Sequence, residues 1–159
     1  MTHEQLLRKI ASSWQDLLDS YAGLADRDLL EPGVVGAWSV RDIIAHVMVW
    51  EAELMKHLPH IVAGGRPAKY SDLYGGIDAF NAKMTEANRG LSLAEVLRER
   101  DRTHAKLLQV VGALPEDQIR TDTRARRRVR LDAYAHYPIH ATAIRRWRAQ
   151  RDAGSITVT

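Results

Sequence analysis

At 159 residues the chain suits one domain, and a chain of that length buries roughly 70% of its unfolded surface. Hydrophobic content of 45% against 27% charged is that of a globular protein, and the absence of cysteine excludes disulfides and thiolate metal sites, leaving His, Asp and Glu as metal ligands. A net charge of +3 with histidine neutral is too small to require a polyanionic partner.

Residues 4–21 read as an amphipathic helix, because Leu6, Leu7, Ile10, Trp14, Leu17, Leu18 and Tyr21 recur at spacings of three and four. Gly23 is its stop signal. Residues 24–37, with Asp26, Pro32, Gly33 and Gly36, read as a loop. Ser39 is the N-cap of a second helix, and Asp42 suits its first turn. The stripe of that helix is Val40, Ile43, Ile44, Val47, Trp50, Leu54 and Leu58, ended by Pro59 and then Gly64-Gly65. His46 falls at the edge of the stripe. Glu51 falls inside it, an unusual place for a carboxylate.

Residues 59–90 form a long connection whose middle, from about Gly76 to Asn88, holds a short helix using Ile77, Phe80 and Met84. A connection of this length lets the next helix run parallel to the second. Ser92-Leu-Ala-Glu95 is a capping box, and the third long helix runs from it to about Ala113. Its stripe of Leu93, Val96, Leu97, Leu107, Leu108 and Val111 is polar in the middle, at Arg100, Thr103 and His104. Buried polar groups are costly unless paired or ligating. With Glu51 they predict a polar pocket in mid-bundle. Residues 115–130 read as a basic connector containing Arg124, Arg126, Arg127, Arg128 and Arg130. The run lacks aromatics to stack on bases and reads as solvated. The fourth helix begins between Leu131 and Tyr137 and ends before Gly154, leaving residues 154–159 as a frayed tail. No stretch has strand character, and the fold expected is all-α. The N-terminus is charged where a signal peptide needs an apolar run, and no segment has the length of a membrane span. With no cysteine, this fits a cytoplasmic chain.

Two histidines, His136 and His140, stand four apart, so on a helix they share a face with Ala133, Tyr137, Ala141, Ile144 and Trp147. His46, on another stripe, adds a third imidazole. Three nitrogens make a metal site with a position open to water or substrate. The competing reading is three unrelated histidines, some of them satisfied in the core. Pro138 bears on the geometry, because a proline kinks a helix interior but is tolerated in the first turn. If the helix starts at Pro138, His136 lies outside it; if it starts near Leu131, a kink sits at the site. His104 is a candidate fourth ligand, a partner to a ligand, or a core histidine. Glu51 is a candidate general base, a ligand, or the salt-bridge partner of Arg100, the plainest of the three. Trp50, Arg100, Tyr137 and Trp147 are candidate pocket walls. His3, His57 and His60 read as surface residues.

Trp38-Ser-Val-Arg-Asp-Ile-Ile-Ala-His46-Val with Trp50 resembles the second helix of the DinB/YfiT-like superfamily. His136-x-x-x-His140 with Ile144 and Trp147 resembles its fourth. Phe80-Asn-Ala-Lys-Met-Thr-Glu-Ala-Asn-Arg89 and the following Leu-Ser-Leu-Ala-Glu-Val-Leu are similar to the ClbS/DfsB branch, the DUF1706 group. The resemblance implies an up-down-down-up four-helix bundle over nearly the whole chain. It also implies a divalent metal, often nickel or zinc, on His46, His136 and His140, and a homodimer. Relatives of this kind include thiol-dependent transferases and isomerases, and a resistance protein that opens a reactive cyclopropane in a genotoxin. Pro138 departs from the usual fourth helix. The function expected is that of a metal-dependent cytoplasmic enzyme acting on a small electrophile, by thiol transfer or hydrolysis, in detoxification or self-resistance. Glu51 or His104 would move the proton. The alternative is a non-catalytic protein that sequesters a small molecule in the same pocket. Expected partners are a small-molecule substrate and a thiol cosubstrate, with no nucleic acid and no membrane.

Overall fold

Three sets of caps and stripes build the long helices. The computed structural model describes residues 1–156. Its first long helix, α1 (His3–Tyr21), is opened by Thr2 and Gln5, each side chain accepting the other's backbone N–H. A short α2 (Asp26–Leu29) follows, within the segment expected to be loop, where Leu29 turns into the core. Ser39 and Asp42 form a reciprocal capping box at the start of α3 (Val40–Val62). Pro59 lies inside the last turn of α3 and does not end it. The proline forfeits its own backbone bond, and buried Leu58 and Ile61 hold the turn to the core.

The long connection contains α4 (Tyr70–Tyr74) and α5 (Ile77–Ala87). Phe80 is its buried anchor, whereas Ile77, expected to point inward, is 54% exposed. Ser92 and Glu95 cap α6 (Leu93–Gly112). The basic segment is not a solvated connector. It folds as α7 (Glu116–Arg120) and α8 (Arg124–Val129), because Ile119, Ala125 and Val129 are fully buried among the arginines. A π-helical turn (Arg130–Tyr134) follows, in which the Ala135 N–H reaches back five residues to the Arg130 carbonyl. The last helix, α9 (Tyr137–Ile156), has Pro138 in its first turn, where the missing N–H has no intrahelical partner to lose. Pro138 therefore starts the helix and kinks nothing. The helix continues through Gly154 to Ile156, and the rest of the expected tail, residues 157–159, lies outside the described residues.

Among the described residues the fold is all-helical, with one isolated bridge between Val35 and Trp38. The long helices pack in pairs, α1 along α9 and α3 along α6. Links between α3 and α6 join like ends: Arg41 reaches the Leu91 carbonyl and Glu51 meets His104. Those between α1 and α9 do the same, from Trp14 with Tyr137 to Arg148 with the Ser20 carbonyl. Leu6, Ile10, Ile43, Leu54, Leu107, Ala141 and Ile144, drawn from all four long helices, belong to one buried core.

Candidate metal centre

His46 projects from α3. His140 sits in the first turn of α9, and His136 lies on the turn just before it, its N–H bonded to the Ala133 carbonyl at 2.8 Å. The π turn therefore delivers His136 directly to the start of α9. π turns inserted in helices recur at functional sites. The His136 Nε2 is 3.2 Å from that of His46 and 2.8 Å from that of His140. One ligand atom from each residue lies within 4.8 Å of the others. Two nitrogens each ~2.05 Å from one ion stand ~2.9 Å apart at a right angle and ~3.3 Å apart at a tetrahedral angle. The two short spacings fall on those edges, so the residues present fit a small divalent ion.

The electrostatics agree with that fit. Burial pushes His46 down to about 3, with the neighbouring imidazoles adding to it. Burial likewise takes His136 to about 4, and burial with the His136 ring takes His140 to about 3. All three are neutral near pH 7, the form that ligates.

Two of the three histidines, His46 and His136, open on a hollow of about 300 Å³ that Trp50, Ile77, Asn81, Leu131 and Asp132 also line. Trp50 donates its Nε1–H to the Asn81 Oδ1 at 3.0 Å. Trp38 lies against His46, ring centroids 4.8 Å apart. The wall also holds Asp132, which is buried and paired with Arg128. Arg128 donates in turn to the Tyr70 hydroxyl at 3.0 Å, and Tyr70 donates to Glu53 at 2.8 Å. Burial raises the Asp132 carboxyl to about 6, although Arg128 opposes the rise.

Of the expected pocket walls, Trp50 lines this hollow and the others do not. Glu51 is fully buried, and its Oε1 accepts from the Tyr137 hydroxyl and from His104 Nδ1, the latter at 2.8 Å. Its Oε2 has no hydrogen-bond partner. His104 stacks flat on Trp14, centroids 3.7 Å apart, and Tyr137 meets the edge of the same indole. The Glu51–Arg100 salt bridge does not form: Arg100 donates to the Tyr21 hydroxyl at 2.9 Å and to Asp101. Tyr137 and His104 reach Glu51 from inside the core, while the Arg100 guanidinium is taken up by Tyr21 and Asp101. Trp147 is buried beneath the Arg151 guanidinium, 4.6 Å from its ring centre. His3, His57 and His60 bond to the Leu114 carbonyl, Glu53 and the Arg66 carbonyl, away from the triad. Asn81, Asp132, Trp38 and Leu131 escaped the sequence reading as site residues. Asp132 stood just past an arginine-rich run and Asn81 on a short helix, and neither carries a spacing signal.

An all-helical bundle with three histidines converging from α3 and the entry to α9 defines a recognisable class, and the chain belongs to the DinB superfamily, whose model matches residues 9–142. Among solved structures the fold is shared with DfsB, a sibling lethal factor precursor, at 19% identity and a TM-score of 0.76, over 95% of this chain and 97% of that one. It is also shared with the colibactin self-resistance protein ClbS, solved in complex with a dsDNA, at 13% identity and a TM-score of 0.75, over 91% of this chain and 94% of that one. A protein from Streptococcus pneumoniae matches at 14% identity and a TM-score of 0.75, over 94% and 91% of the two chains. No curated protein matches the chain. Among the described residues, no helix is long and apolar enough to cross a membrane.

Proposed function

We propose that the chain is a metal-dependent enzyme of the ClbS/DfsB branch, acting on a small electrophile by thiol transfer or hydrolysis, in detoxification or self-resistance. The observation that carries this reading is the convergence of the His46, His136 and His140 Nε2 atoms beside an open hollow. These three residues would hold a nickel or zinc ion, which supplies the Lewis acidity that makes water or a thiol nucleophilic near neutral pH. The chain's own groups do the rest. Trp50, Ile77 and Leu131 give the substrate an apolar seat, and Asp132 is the wall group able to hold a proton. Glu51 and His104, the expected proton carriers, act in this reading through Tyr137. By fixing the residue between His136 and His140, they hold both ligands in place.

The self-resistance role named for ClbS supports a small reactive substrate. The up-down-down-up order, a cytoplasmic homodimer and a thiol cosubstrate belong to the same reading. So does the absence of a nucleic-acid partner, although ClbS was solved with a dsDNA. It is supported by Arg126, Arg127 and Arg128, whose guanidinium groups are engaged by carbonyls and carboxylates of the chain. The apolar rim, with Ile77 54% and Leu131 65% exposed, also suits sequestration without turnover. Turnover of a maleimide or an epoxide, with and without a thiol, separates the two readings.

Elemental analysis of the tag-free protein tests the metal. Replacing His140→Ala should lower occupancy as far as His46→Ala and His140→Ala together, because a site missing one of three ligands is already weak. Protein that is metal-free as purified and refuses nickel and zinc at pH 8 would sink the enzyme reading.

A further inference from the structure

We infer that Asn81 is the specificity-determining residue of the histidine hollow, and that the ligand carries a carbonyl or carboxylate oxygen next to an apolar segment. The inference deepens the proposed function and shares its site. It concerns what the hollow recognises, whether or not turnover follows.

Trp50 fixes the orientation of the Asn81 side chain. An indole Nε1–H can only donate. Its partner atom on Asn81, 3.0 Å away, must therefore be the carboxamide oxygen. The orientation of the amide, which is otherwise ambiguous between O and N, is fixed by chemistry. The NH2 group is then the free end of the side chain, and it makes no hydrogen bond among the described residues. The Asn81 backbone is separately secured, since its carbonyl accepts from the Thr85 hydroxyl at 2.8 Å. The result is a rigid two-proton donor on α5, set in the wall of the hollow that His46 and His136 also line.

The same residue lines two neighbouring spaces. One, near 10 Å³, is bounded by Arg41, His46 and Met84, and the other, about 400 Å³, by Trp38 and Arg89. Asn81 is thus the wall between the histidine hollow and the adjoining surface cleft. Ile77, one turn back on the same face of α5, and Leu131 line the hollow with Asn81 and present apolar side chains that the fold leaves half or more exposed. A fixed donor beside an apolar rim selects a hydrogen-bond acceptor attached to a hydrocarbon part. A site built to hydrogen-bond its ligand rejects the analogue lacking that group, because the protein donor is left unpaired.

The test uses the ¹⁵N-labelled full chain as purified and two isosteric probes. These are 2-hexanone, which has the acceptor, and 2-methyl-1-hexene, which replaces it by a methylene. The ketone should shift the Asn81 side-chain NH2 resonances and the Trp50 indole resonance. Asn81→Asp keeps an oxygen for the Trp50 N–H and removes the donor. It should cut ketone affinity about tenfold, the worth of one hydrogen bond, while leaving the alkene unchanged. Asn81→Leu should lose the same ketone preference and also release the indole. Ile77→Ser should weaken both probes alike. An unchanged ketone-to-alkene ratio in Asn81→Asp, or a wild-type chain whose Asn81 resonances ignore the ketone, overturns the assignment. Metal uptake is read independently by elemental analysis, so failure of the metal reading and failure of this inference give different results.

Discussion

Tyr137→Phe removes one oxygen and almost no volume, so it isolates the hydrogen bond that ties α9 to α3. Tyr137 is fully buried and its hydroxyl donates to Glu51 Oε1. Burial and the adjacent Glu51 push the phenol well above its usual range, so it remains a donor at any working pH. After the substitution Glu51 keeps one partner, His104, while Oε2 is already without one. A hydrogen bond between neutral groups contributes about 1 kcal/mol and one to a charged group about 1.5–3 kcal/mol. No cavity term adds to this, because the ring is retained. The expected loss is about 2 kcal/mol, which for a domain of this size lowers Tm by about 4–8 °C. Urea unfolding followed by circular dichroism measures it, with an unchanged m-value as the sign that the native state is otherwise intact. Because Tyr137 lies between His136 and His140, nickel or zinc affinity should fall in the same variant. A stability change below about 0.5 kcal/mol would refute the view that this buried bond anchors the start of α9.

Stability of the metal-free protein should fall as pH drops below about 6.5, since His46, His136 and His140 sit near 3, 4 and 3 when folded and unfolded histidine binds protons near 6.5. Asp132, raised to about 6, works the other way between its ordinary value and 6, but one carboxyl opposes three imidazoles. Urea midpoints that stay level from pH 7.5 to pH 5 would contradict this. Arg128→Met strands the Asp132 carboxyl, whose side chain is 7% exposed, and should cost about 3 kcal/mol at pH 8. Part of that loss should return at pH 5, where Asp132 can take up a proton, and equal losses at both pH values would show that the pair does not carry the effect. In fluorescence anisotropy, a short dsDNA should not bind at physiological salt, where a few phosphate contacts are weak; tight binding there would restore a nucleic-acid partner.

Local chemistry was legible in the sequence. Ser39 with Asp42 and Ser92 with Glu95 marked two helix starts that form as reciprocal capping boxes. The apolar stripes of α1, α3 and α6 were readable because a helix repeats its faces every few residues, whatever it packs against. The three histidines stood out as residue types, and the structure brings their Nε2 atoms together. Pro138 left two starts open for the last helix, and only packing decided between them. Fully buried Tyr137 pins the first turn of α9 there.

Partners across the bundle were not legible. Glu51 reaches His104 and Tyr137, while Arg100, its expected partner, reaches Tyr21. Both choices depend on the rotation and register of one helix against another, which periodicity within a single helix does not encode. The arginine run looked solvated because charge dominated its composition, yet Ile119, Ala125 and Val129 at its inner face made it helical. Asn81 and Asp132 reach the histidine hollow through folding of the long connection and of the π turn. Residue types and apolar faces are properties of the chain. Which side chains meet at the site is set by how the helices stack, and the tertiary structure alone decides that.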